Sequence, residues 1–156
     1  LRRNMPNDCC KETADKTVTV EENSKRATFL NSAGQNFLVC QIDGCEIRQK
    51  IACDFFIQRD QQDGVLIELK GRDISHAIDQ IEATFRYLAQ LGRLKGRKAA
   101  LIVAGKPSTH PLFTSKLQRA KERLKKQHSA PLHVVRDKYE DKMDPLFTFS
   151  QYKKSE

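Results

Sequence analysis

No stretch of this sequence is apolar for long enough to span a bilayer, and none reads as a signal peptide, so its segments predict neither a membrane helix nor a secretory leader. Paired C-x₂₋₄-C units are missing as well. Cys40 and Cys53 lie inside apolar runs, where a free cysteine packs as a small hydrophobe, and a zinc site is not expected. Gly105-Lys106 follows an apolar strand, but Ala100 stands where a phosphate-binding loop needs its first glycine. Pro107 replaces the Ser/Thr, so that motif is rejected. The four histidines are scattered in no nucleophile-activating pattern, and His110 and His133 read as loop and strand residues rather than catalysts.

What remains is a chain of 156 residues, long enough for one domain with a proper core. Its five cysteines, an odd number in a chain that needs no staples, are read as free thiols, and the cytoplasm is the expected compartment. The net charge is +8 and unevenly placed: residues 93–128 hold eleven Lys/Arg and a single acid, Glu122, so that segment carries +10 and the rest −2. Arg93, Lys95, Arg97, Lys98, Lys106, Lys116, Arg119 and Arg123 are the candidates for contacting a nucleic-acid backbone.

The order of elements predicts an α/β fold, an α+β mixed sheet. Residues 1–26 are polar and read as a weakly structured start, with an edge strand at Thr17-Val18-Thr19-Val20, and residues 28–34 read as a loop. A core at 27–136 begins with a three-stranded antiparallel meander. Phe37–Ile42 turns at Asp43-Gly44, and Cys45–Lys50 leads back into Ile51–Gln58; Val65–Gly71 follows. Asp73 then caps a helix with Ile74, Ala77, Ile78, Ile81, Phe85 and Leu88 at helical spacing, ending at Gly92. A buried strand at 98–104, a basic helix with Phe113, Leu117, Ala120 and Leu124 on one stripe, and a strand at 132–135 complete the core. Residues 137–156 read as a charged tail in which 146–149 packs back on the body.

Three charged groups interrupt the meander's two most apolar runs: Asp54 in Cys53-Asp54-Phe55-Phe56-Ile57, and Glu68 and Lys70 in Val65-Leu66-Ile67-Glu68-Leu69-Lys70. Glu68 and Lys70 share a face because strand side chains alternate. A hairpin centred on Gln61 places Asp54 opposite Glu68, where Cβ atoms lie about 4.5–5.5 Å apart. Two carboxylates that close repel unless a cation separates them, and oxygen donors on rigid strands suit Mg²⁺ or Mn²⁺. Phosphodiester hydrolysis is the chemistry such a group fits.

Asp54, the hairpin, Glu68-Leu69-Lys70 and the helix directly after them resemble the PD-(D/E)xK nuclease superfamily, which includes restriction endonucleases, Holliday-junction resolvases and the nuclease domains of DNA-repair helicases. The likeness covers Phe37 to Val135, with Cys53 in place of the name-giving proline. It implies a restriction-endonuclease-like core and a metal held by Asp54 and Glu68, with the Leu69 carbonyl as a further ligand. Lys70 would orient or deprotonate the attacking water. Gln80 on the helix, near Tyr87, His76 and Thr84, resembles the supporting glutamine of the family's exonuclease branch. Many members add a glutamate from a helix before the first strand; Glu12, Glu21 and Glu22 are the candidates, Glu22 preferred. A second E-x-K, Glu140-Asp141-Lys142, lacks apolar alternation and is read as solvated loop. The expected partner is nucleic acid, DNA first, cut with structure selectivity or weak sequence preference. Duplex cutting would need a homodimer or a partner subunit. Alternatives are a non-catalytic binding module with the same fold, or an RNA nuclease using the same site.

Overall fold

Alternation decides which side of the sheet each residue of the apolar runs serves, and the computed structural model, which describes residues 8–70, 73–105 and 111–154, places a different layer on each side. The strands are β1 (Cys10–Thr13), β2 (Thr17–Glu22), β3 (Lys25–Leu30), β4 (Phe37–Gln41), β5 (Phe55–Arg59), β6 (Asp63–Lys70), β7 (Lys98–Ala104), β8 (Leu132–Arg136) and β9 (Lys138–Asp141). The helices are α1 (Ile74–Gln90) and α2 (Pro111–His128), with a 3-10 turn at Asp144–Phe147. The main sheet runs β1-β4-β5-β6-β7-β8; β1 to β6 pair antiparallel and β6 to β8 parallel. A smaller sheet runs β2-β3-β9. The protein is thus a mixed α+β fold with two mixed sheets. No helix among the described residues is long and apolar enough to cross a membrane.

Leu66, Phe56, Ala100 and Ile102 point toward Ile74, Ile78, Ile81, Phe85 and Leu88 of α1 and Ala120 and Leu124 of α2. The alternate residues Ile57, Val65, Ile67, Leu101 and Val103 meet Val18, Val20 and Phe29 of the small sheet and Tyr139 of β9. Asp73 caps α1 by accepting from the His76 amide, and Gly92 takes a left-handed φ of +68° just past its end. The Phe113 side chain, Gly71, Lys106 and residues 107–110 lie outside the described residues.

Several boundaries differ from those expected. Residues 10–22 are not a loose start: β1 pairs with β4, and β2 forms a hairpin with β3, where a loop was expected at 28–34. Its two turn residues, Asn23 and Ser24, both have positive φ, the geometry a tight hairpin needs. Residues 137–147 are not a free tail, since β9 adds to β3 in parallel and buries Tyr139. Glu140-Asp141-Lys142 therefore begins on a strand and not in a loop, although Glu140 and Lys142 are exposed. Leu146 packs into the core as expected. Asp43-Gly44 opens a long irregular segment to Asp54 and does not close a two-residue hairpin, so residues 45–50 form no strand.

The thiol reading also fails. Cys9 joins Cys45 and Cys10 joins Cys40, leaving Cys53 as the free thiol. Cys10 and Cys40 sit directly opposite each other on β1 and β4. That juxtaposition depends on β1, a strand that the polar start conceals. The reducing compartment argued from free thiols loses its premise. Under non-reducing, denaturing conditions a thiol titration should count one group and not five. Reduction should lower the denaturant-derived stability by about 2–4 kcal/mol per bond removed.

Candidate functional site

The loop between β5 and β6 consists of Asp60, Gln61 and Gln62, and it pairs Arg59 with Asp63 and Phe55 with Ile67. One step further, that register sets Asp54 against Glu68, as a turn centred on Gln61 requires. The Asp54 amide donates to Glu68 Oε1 at 3.1 Å, and the Leu69 amide donates to Asp54 Oδ2 at 2.8 Å. Each carboxylate therefore has one oxygen fixed by the other strand's backbone. Lys70 Nζ lies 3.7 Å from the second Glu68 oxygen, Oε2.

Both acids are buried, Glu68 1% and Asp54 8% exposed. Burial raises the Asp54 pKa to about 7, with the Leu69 amide opposing and the neighbouring Glu22 carboxyl adding to the rise. Burial likewise raises Glu68 to about 8; the Asp54 charge adds to this and Lys70 opposes it. Asp43 adds a further raising charge at Asp54. Glu22 thus reaches the site from the β2–β3 turn, a strand end and not the helix expected of a glutamate in this place.

Gln80 and Thr84 fasten the chain just before Asp54 onto α1. Gln80 Nε2 donates to Ala52 O at 2.9 Å, and the Thr84 hydroxyl accepts from the Cys53 amide at 2.8 Å while donating to Gln80 O. Gln80 Oε1 is buried without a partner among the described residues. Thr84→Val would strand the Cys53 amide. We expect it to cost about 1–3 kcal/mol in chemical denaturation, the usual penalty for an orphaned buried donor. Cys53 itself packs in the core, where burial pushes its thiol far up despite the Thr84 hydroxyl. It behaves as an inert hydrophobe.

The basic residues are not gathered where the sequence placed them. Arg93 is 7% exposed and binds the buried Glu46 carboxylate, with its guanidinium 3.5 Å from Cys40 Sγ; it is a structural cation, and its assignment to a nucleic-acid surface is withdrawn. Arg97 pairs with Asp63 and Asp144, and Lys98 Nζ donates to Gly96 O at 2.9 Å. Lys98 lies opposite Gly64, at the other end of β6 from Glu68, which faces Ile102. Four residues of strand separate the two positions by about 13 Å. Residues 93–98, Lys95 included, therefore occupy the far end of the sheet. Lys116 is at the near end, 2.9 Å from Asp79 and bonded to Ser75 in the first turn of α1. Arg123 pairs with Glu82, and Arg119 is exposed.

The acids, and not the cysteines, are what a hard cation would meet. Cys10, Cys40 and Glu46 form a tight group, but the sulfurs are bonded to each other and the carboxylate is matched by Arg93. Asp54 and Glu68 by contrast have raised pKa values and, among the described residues, only Lys70 as an ion-pair partner. Those donors fit Mg²⁺ or Mn²⁺. No family model matches the chain, and neither does any curated protein or solved structure.

Proposed function

We propose that the protein is a divalent-metal-dependent nuclease of the PD-(D/E)xK kind, with a restriction-endonuclease-like core, hydrolysing phosphodiester bonds of DNA with structure selectivity or weak sequence preference. The observation that carries this is the cross-strand pair of Asp54 and Glu68, two buried carboxylates held side by side by each other's backbone amides. Burying two acids against each other is costly, and structural need does not call for it. The element order around the pair, an antiparallel meander followed by helix, strand, helix and strand, supports the same family.

Asp54 and Glu68 would hold Mg²⁺ or Mn²⁺, with the Leu69 carbonyl as a further ligand, and the ion would polarise a phosphoryl oxygen and acidify water. Lys70 is half-buried beside Glu68 and would orient the attacking water or steady a phosphate oxygen. Gln80 keeps Ala52, and so Asp54, in place. Glu22 lies close enough to Asp54 to raise its pKa.

The test is degradation of linear and single-stranded DNA, and of RNA, across Mg²⁺ and Mn²⁺ concentrations. Divalent-dependent shortening of DNA is expected. Binding with no cleavage of any form under either ion would make the protein a non-catalytic module, and cleavage of RNA alone would make it a ribonuclease.

A further inference from the structure

The irregular segment from Asp43 to Ala52 lies alongside α1, and a groove runs between them. At one end, where the Asp43 amide bonds the carbonyl of Cys53, the residue before Asp54, it is walled by Asp43, Lys50, Ile51, His76 and Gln80. It continues along α1 as a recess of about 600 Å³ floored by Ile47, Ala83 and Tyr87 and edged by Arg48, Lys50 and Arg86. Lys50 and Ile51 line both parts, so the two recesses adjoin, and together they are called the channel below. His76, Gln80, Ala83, Tyr87 and Gln90 recur every three or four residues and form one face of α1, about 21 Å long.

The chemistry of this channel is mixed in a particular way. Ile51 is 52% exposed, and Tyr87 is half-buried with its ring in the wall. Arg48, Lys50 and Arg86 are exposed, and none is ion-paired with a described residue. Of the two acids along it, Glu46 is already bound by Arg93, and Asp43 stands at the end nearest Cys53. An apolar, aromatic floor with a cationic rim matches a chain that shows both base faces and phosphates. A duplex hides its base faces and offers phosphates alone, so the floor would go unused.

We propose that this channel is the track for a single strand of nucleic acid, leading it to Asp54 and Glu68. The inference rests on the nuclease reading for what happens at the end of the track, but not for binding itself. Arg48, Lys50 and Arg86 hold phosphates; Ile51 and Tyr87 take bases.

Binding of fluorescent dT₁₂ is measured by anisotropy in EDTA, where nothing is cut, with an unlabelled hairpin duplex as competitor. The wild type should prefer dT₁₂ over the duplex at least about 10-fold, with a salt slope near −2 for three phosphate contacts. The double variant Arg48→Glu, Lys50→Glu should lose about 10-fold or more in affinity and most of that slope. The same charge reversal at the exposed Lys11 and Lys16 should not. Equal competition by the duplex, an unchanged affinity in the double variant, or an equal loss at Lys11 and Lys16 overturns the proposal. Tight dT₁₂ binding that obeys these rules, with no cleavage of dT₁₂, duplex DNA or RNA when Mg²⁺ or Mn²⁺ is added, leaves the track standing and removes the nuclease.

Discussion

Glu68→Ala, Asp54→Ala and Lys70→Ala should each reduce Mg²⁺- or Mn²⁺-dependent DNA cleavage by at least about 10³-fold, the order lost when preorganised charge at a transition state is removed. Far-UV circular dichroism should be unchanged. The expectation is strong because the three groups form one unit. Glu68 takes the Asp54 amide, Asp54 takes the Leu69 amide, and Lys70 faces the remaining Glu68 oxygen. Loss of any one misplaces the others, so the single variants should be about as poor as the triple one. The protein contains its own control. Glu140→Ala and Lys142→Ala alter the second E-x-K, which is exposed on the edge of the small sheet, and should leave the rate within twofold. If the Glu68 and Glu140 variants cut alike, the acids of the main sheet are not the catalytic ones.

The second large effect is on stability, and its sign is unusual for carboxylates. Asp54 and Glu68 have folded pKa values of about 7 and 8, against about 4 in an unfolded chain. Between those limits the folded protein holds protons that the unfolded one has released. Their contribution is full below pH 4 and is lost as pH rises through 7 to 8. His128 and His133 act the other way, because burial lowers both. Comparison with Glu68→Gln isolates the acids. Without metal, the variant should match the wild type near pH 5 and exceed it at pH 8 by about 2 kcal/mol, some 5 °C in Tm. Adding Mn²⁺ at pH 8 should restore the wild type and leave the variant nearly unmoved, since only the ionised pair attracts the ion. A wild type that gains no stability from metal at pH 8, and a variant no more stable than it, would end the cation-site reading.

How far the sequence discloses this site depends on whether the relation is local. Asp54 against Glu68 follows from a turn at Gln61 and a two-residue alternation, and so the pairing is readable. Asp73, Gly92 and the apolar stripe of α1 are likewise local signals. Glu22 is of another kind: nothing near it announces a site, and it arrives through the packing of one sheet on another. The preference for it needed a family resemblance, and even that expected a helix. The charge count misled for a related reason. Arg93 to Lys98 are close to Glu68 in number but stand at the wrong end of a parallel crossover, and Arg93 serves a buried acid that strand pairing brings within reach. Arg48 and Lys50, which edge the recess along α1, sit in a segment that looked like strand because Asp43-Gly44 so often closes a hairpin. The disulfides were hidden by a polar segment that forms a strand only when β4 is there to receive it.

The pairing of β3 with strands on both sides has a meaning in time as well as in space. One neighbour, residues 17–22, precedes it by a few positions; the other, 138–141, lies more than a hundred positions later. While the chain is being synthesised, 25–30 therefore waits with a row of free amides and carbonyls and with Phe29 unsheltered, the state in which nascent chains associate with one another. Lys25 and Arg26 open that strand. Their charges repel a second copy during the interval, and the last strand to arrive closes the vulnerable edge for good.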